Sequence, residues 1–289
     1  MSHAESGSRC LFCGTTSGKR TREHIWRNSL RGYFPPASSL TFWESSESKG
    51  REFVETRPIS QFDITLNDVC SDCNSGWLND LEEDAFPTLI SLGRLGGSAP
   101  THEQLRSFAF WAVVRAMLRT RTSMSGHAPI NLFAAAFRNR VSQVIPPGCV
   151  VLVALTEPVD MEAGMHQSFV IERGYLGHVG VAFGQLLVLV FLAGPDSVSS
   201  KLAERAAAQV RGWFPETLWE VAPRFAPHLF IPRYLSPAEA KTAGSCLGLF
   251  TGRTMRDQFG SQITIEAVPE FRRGEVPWVE MLHGDQPAE

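Results

Sequence analysis

The chain has 289 residues, with 27 Lys and Arg against 30 Asp and Glu, a formal net charge of −3, 43% hydrophobic and 20% charged residues. These proportions exclude a disordered chain, a fibrous one and a polycation that would coat nucleic acid, so any nucleic-acid contact has to come from a local patch. The first twenty residues carry no signal-peptide pattern and the longest apolar run, 186–193, is too short for a bilayer, so a cytoplasmic protein without membrane contact is expected.

In chain order, the first feature is Cys10-Leu11-Phe12-Cys13, followed by Gly14. A basic stretch comes next, with Lys19, Arg20, Arg22, Arg27 and Arg31 around Glu23-His24-Ile25. Residues 44–50 read as a polar hairpin tip or insertion. A second pair, Cys70-Ser71-Asp72-Cys73, is followed directly by Asn74. Trp77, Leu78, Leu81 and Ala85 recur at helical spacing, so a helix is predicted over 70–85, with Pro87 as its stop. Glu82, Glu83 and Asp84 read as the exposed end of that helix.

A connector at 92–100 separates this Ser-, Arg- and Glu-rich part from a more regular second part, predicting domains at 1–97 and 98–289. Thr101 and Gln104 fit a capping box, and Leu105, Phe108, Ala109, Ala112, Val113, Ala116 and Met117 predict a helix with one apolar face. A second helix is predicted over 131–145, then strands at 149–155, 168–172, 180–183 and 186–192. A helix at 201–210 and strands at 218–221 and 262–268 complete an α+β pattern with an antiparallel-leaning sheet.

The two Cys-x-x-Cys pairs supply four thiolates, a closed tetrahedral set that marks a structural zinc site. Paired thiols in a chain of this kind are read as metal ligands ahead of disulfides. Cys149 and Cys246 have no such pattern, and His102, His127, His166, His178, His228 and His283 fall into no pair with a carboxylate or cysteine, so all are read as structural or surface groups. Between the pairs, Glu23 and Asn74 are oxygen ligands suited to a hard cation such as Mg²⁺. His24 is a side chain able to take a proton from water. Asn74 also has a second reading, as a helix N-cap. The basic residues attract phosphates without reading sequence, or form a solvated turn; Trp26 and Trp77 stack on bases or build the module's core.

Cys-x-x-Cys, Glu-His-Ile and Cys-x-x-Cys-Asn, over about residues 8 to 86, resemble the zinc-containing, treble-clef-like branch of the HNH endonuclease family of ββα-metal nucleases. Many members carry Pro where this chain has Arg27. The resemblance implies a hairpin-plus-helix module in which His24 is the general base, Glu23 and Asn74 hold a catalytic Mg²⁺ or Mn²⁺, and Cys10, Cys13, Cys70 and Cys73 hold zinc. It implies DNA as substrate, with Lys19, Arg20, Arg22, Arg27 and Arg31 on its phosphates, and leaves the second part to recognition, effector binding or homo-oligomer formation. The alternatives are a non-catalytic zinc module that binds nucleic acid or protein, and a zinc module that acts as the effector of a C-terminal sensor domain.

Overall fold

The computed structural model of the chain describes residues 9–34, 45–48, 51–54, 61–94, 99–122, 127–157, 165–171, 174–224, 234–245, 254–256 and 262–264. It is an α+β protein with an antiparallel sheet, as the pattern of elements predicts. In the first part, β1 (Arg20–His24) is followed by a two-stranded ribbon of β2 (Ser45–Ser48) and β3 (Arg51–Val54), then by β4 (Thr65–Cys70). The 44–50 stretch read as a hairpin tip thus supplies β2, and its other residues lie outside the described ones. β1 and β4 pair antiparallel, with Arg20 opposite Cys70 and His24 opposite Thr65.

The chain enters its first helix at the second cysteine pair. A single turn, α1 (Ser71–Cys73), opens into a wider turn over Asn74–Leu78 and then α2 (Asn79–Arg94). Gly76 carries the kink between them, at φ −99° and ψ −116°. Pro87 does not stop the helix, as the sequence predicts, but lies inside it. A proline there forfeits a backbone hydrogen bond and crowds the preceding turn. Burial of Thr88, Leu89, Leu92 and Gly93 beyond it offsets that cost.

The capping box forms as predicted at the start of α3 (His102–Thr120): Thr101 Oγ1 accepts from the Gln104 N–H and Gln104 Oε1 accepts from the Thr101 N–H. The single apolar face does not describe this helix, because every residue from Ser107 to Thr120 is buried. A helix covered on all sides is the centre of a core. Trp111 of α3 packs against Trp26 of the first part and against Phe183 of the sheet, with ring centroids 6.0 and 5.9 Å away. One hydrophobic cluster therefore runs from Cys10 to Ala222, across the 97/98 division that composition suggests. The next helix, α4 (Ile130–Arg138), ends seven residues before the predicted 145. Asn139 turns the chain there: its side-chain amide donates to Val144 O, a bond that competes with helical ones, and Gln143 at φ 52° leaves the helical conformation.

The sheet contains β5 (Val150–Leu155), β6 (Met165–Ile171), β7 (Gly174–Phe183), β8 (Leu186–Ala193) and, after α5 (Ser197–Trp213), β9 (Trp219–Ala222). Its order is β6-β7-β8-β5-β9, antiparallel throughout. Val188, Val190 and Leu192 face the α3 side, while Leu187, Leu189 and Phe191 face α5 and α6 (Pro237–Ser245). Both faces are covered, which is why the 186–193 segment is apolar at every position instead of alternating. Gly180 of β7 permits α6 to approach, since a Cβ there would stand 2.5 Å from the Gly244 carbonyl oxygen. In the last pair, β10 (Thr254–Arg256) and β11 (Gln262–Thr264), β11 covers the start of the strand predicted at 262–268, whose remainder lies outside the described residues.

His178 of β7 is fully buried, with its ring centroid 4.9 Å from that of Phe191. Burial disfavours the imidazolium and pulls its pKa down to about 3. The unfolded chain, with a histidine near 6.5, binds the extra proton first as pH falls, so stability present above that value is lost on acidification towards 3. Between about pH 7.5 and pH 5 the loss expected from this residue is about 2 kcal/mol. Thermal melts across that range check it: His178→Leu should flatten the pH dependence, and an unchanged slope would remove His178 as its source.

Candidate functional site

The four cysteines meet although 57 residues separate Cys13 from Cys70. The first pair sits in a tight turn in which the Gly14 N–H donates to Cys10 O at 3.0 Å, with Gly14 at φ 72°, a conformation that glycine adopts without strain. The second pair is brought in by β4, whose last residue is Cys70; its N–H donates to Cys10 Sγ at 3.4 Å. All four Sγ atoms lie within 4.8 Å of one another, and Cys13 Sγ stands 3.7 Å from Cys70 Sγ. Four sulfurs tetrahedrally placed at zinc–sulfur distance would be about 3.8 Å apart. The cluster can thus hold a metal ion.

The protonation chemistry of the cluster points the same way. A hydrogen bond shared with Cys73 pulls the Cys10 thiol down to about 4, while the same bond pushes Cys73 up. Burial pushes Cys13 up. One thiolate is thus held by neighbouring thiols that resist ionising beside it, a conflict that a cation ends by taking all four as thiolates. Cys149, by contrast, is a fully buried core thiol whose pKa burial raises to about 12, in keeping with the structural reading of it.

From the cysteines, β1 leads to the Glu-His pair. His24 stands four residues along from Arg20 and Cys70, about 13 Å at strand rise. Alternation puts Arg20, Arg22 and His24 on one face of β1 and Thr21 and Glu23 on the other; Arg22 is exposed, His24 half-buried and Glu23 buried. The His24 Nδ1 lies 2.8 Å from the Phe62 carbonyl oxygen, in the turn before β4. A carbonyl oxygen only accepts, so Nδ1 carries the proton and Nε2 keeps its lone pair in the neutral ring.

Glu23 has other company than the sequence predicts. It is 4% exposed, and its Oε1 accepts from the guanidinium of Arg115, a fully buried residue of α3. Arg115 also donates to the His24 carbonyl at 2.9 Å and pairs with Glu82 of α2 at 2.6 Å. Arg27 approaches Glu82 from the other side, at 3.6 Å. Glu82 is therefore not part of an exposed acidic helix end; Glu83 and Asp84 are. Burial raises the Glu82 pKa, against the pull of the Arg115 charge. Burial acts to lower the Arg115 pKa, but the charges of Glu82 and Glu23 outweigh it and the pKa rises.

Asn74 adopts helical φ and ψ, so it is not the N-cap of its second reading. Its side-chain amide donates to Thr21 Oγ1 at 2.8 Å, which ties the start of the helical segment to β1 on the Glu23 face. Among the basic residues, Arg20 donates to Thr15 O at 2.7 Å, Arg27 pairs with Glu82 and lies over the Phe86 ring, and Arg31 pairs with Asp63. Lys19 and Arg22 are exposed. Trp26 is a core residue, 1% exposed, whereas Trp77 is half-buried, with ring centroids 5.0 Å from Phe12 and 6.1 Å from Phe137.

The sequence reading missed Arg115 and the role of Glu82. A signal was present: one arginine among Val113, Val114, Ala116 and Met117 calls for a buried anion, although the sequence does not say which carboxylate supplies it. Comparison of the chain with protein-family models, with curated proteins and with solved structures gives no match, so the site itself carries the functional argument.

Proposed function

We propose that the first part of this chain is a zinc-held, HNH-type nuclease module that hydrolyses phosphodiester bonds in DNA with His24 as the base. The observation that carries this reading is the His24 ring. Its Nδ1 proton is committed to the Phe62 carbonyl, which orients the ring and leaves Nε2 to take a proton from an attacking water. The four cysteines fit zinc, whose role is to hold the turn at Cys10 and the end of β4 together and thereby fix the register that places His24. Arg22, exposed on the same strand face, and the neighbouring Lys19 supply positive charge for a phosphate.

Glu23 and Asn74 do not fit as the ligands of a hard catalytic cation in this arrangement. The Glu23 carboxylate is buried and neutralised by Arg115, and the Asn74 amide is tied to Thr21. That same burial favours the second reading, a zinc module that binds nucleic acid without cutting it.

Supercoiled plasmid incubated with the zinc-loaded protein, with Mg²⁺, with Mn²⁺ and with EDTA, separates the two. Nicking is expected, and His24→Ala should reduce its rate by about 10²-fold or more while zinc content and the melt stay unchanged. Full activity in that variant would sink the assignment of the base; binding without nicking under every condition would favour the second reading.

A further inference from the structure

The Glu23–Arg115–Glu82–Arg27 cluster is a balanced charge system. Two carboxylates, Glu23 on β1 and Glu82 on α2, converge on a single guanidinium brought by α3, and Arg27 lies 3.6 Å from Glu82. Two negative and two positive charges sum to zero. The Arg115 and Glu23 side chains are 1% and 6% exposed, so little water is present to screen a further charge. A divalent cation at Glu23 would have to displace Arg115 and leave a buried guanidinium with one partner fewer. The same guanidinium bonds the His24 backbone carbonyl, so displacing it would also disturb the peptide that carries the proposed base.

We infer that Arg115 is a built-in counter-ion standing in the seat that a divalent cation would need at Glu23, so that the chemistry of His24 does not depend on a cation held by that carboxylate. The inference rests on the nuclease reading only for the word chemistry; the occupancy of the seat is measurable without it. Lysine would be a poor replacement, because one guanidinium serves Glu23, Glu82 and the His24 carbonyl at once, through a planar fork that an ammonium lacks.

The test is Mn²⁺ titration of the zinc-loaded full-length chain, followed by electron paramagnetic resonance, in the wild type, Glu23→Gln, Arg115→Met and the double variant. Wild type and Glu23→Gln should bind Mn²⁺ alike. Arg115→Met should gain affinity by about tenfold or more, because two carboxylates then face one space without their cation, and the double variant should lose that gain. A Mn²⁺ site in the wild type that Glu23→Gln removes would overturn the inference, and so would a folded Arg115→Met that gains nothing. Zinc content and circular dichroism report whether Arg115→Met folds; if it does not, the comparison of wild type with Glu23→Gln still decides. Nicking that survives His24→Ala would refute the base without touching this result.

Discussion

Cys70→Ser is expected to release the metal and to unfold the first part of the chain. Cys70 is both the last residue of β4 and one of the four sulfurs that can hold a metal ion, and its N–H donates to Cys10 Sγ. Loss of one thiolate breaks the closed set, and in small zinc modules the metal contributes on the order of 10 kcal/mol to folding. That is comparable with the whole stability of an ordinary domain, about 5–15 kcal/mol. The effect should not stay local, because the core that begins at Cys10, Leu11 and Phe12 continues without a break through α3 into the sheet. The measurement is elemental analysis together with thermal unfolding before and after chelation. One zinc per chain is expected, with a melting temperature that falls by tens of degrees on its removal and in the variant. A chain that melts at the same temperature with no metal bound would refute the structural role of the site.

Arg115→Met carries the second large effect, a loss of about 3–5 kcal/mol. The methionine side chain fills most of the space, so what is lost is the charge that two buried carboxylates share. The pH dependence identifies the cause. The Glu82 pKa is already raised by burial, and without the guanidinium that carboxyl is driven further towards the protonated form. A carboxyl whose folded pKa lies above its unfolded one binds the extra proton in the folded state, so it favours folding at low pH and opposes it at high pH. The stability gap between wild type and variant should therefore narrow as pH falls from about 8 to about 5, read from denaturant unfolding at each pH. A gap that does not change with pH would assign the loss to packing alone. Glu82→Gln in the Arg115→Met background should restore part of the stability, because it removes one of the two charges left without a partner.

Local signals carried well where the chemistry is local. The capping box at Thr101 and Gln104 needs only residues three apart, and it forms. The strand at 186–193 was legible as buried because no polar residue interrupts it, and the structure covers both its faces. Pro87 and the end of α4 were misjudged for opposite reasons. The proline's local penalty is outweighed by burial further along α2, whereas the apolar spacing beyond Arg138 yields to the side-chain bond of Asn139.

The metal cluster was legible too, since two Cys-x-x-Cys pairs in one chain have few other uses, and their convergence is observed. The alternation that sets Glu23 and His24 on opposite faces of β1 is a property of any strand and could be read in advance. What Glu23 meets on its face could not. Arg115 lies 92 residues away in sequence, and Glu82 lies on a third element.

The sequence by itself determined the two cysteine pairs, the capping box that opens α3 and the apolar strand at 186–193, because each rests on spacing within a few residues. Only the tertiary structure decided that Glu23 belongs to Arg115. A buried charge takes whichever opposite charge the packing of separate elements delivers, and no short-range pattern in the chain records which one that is.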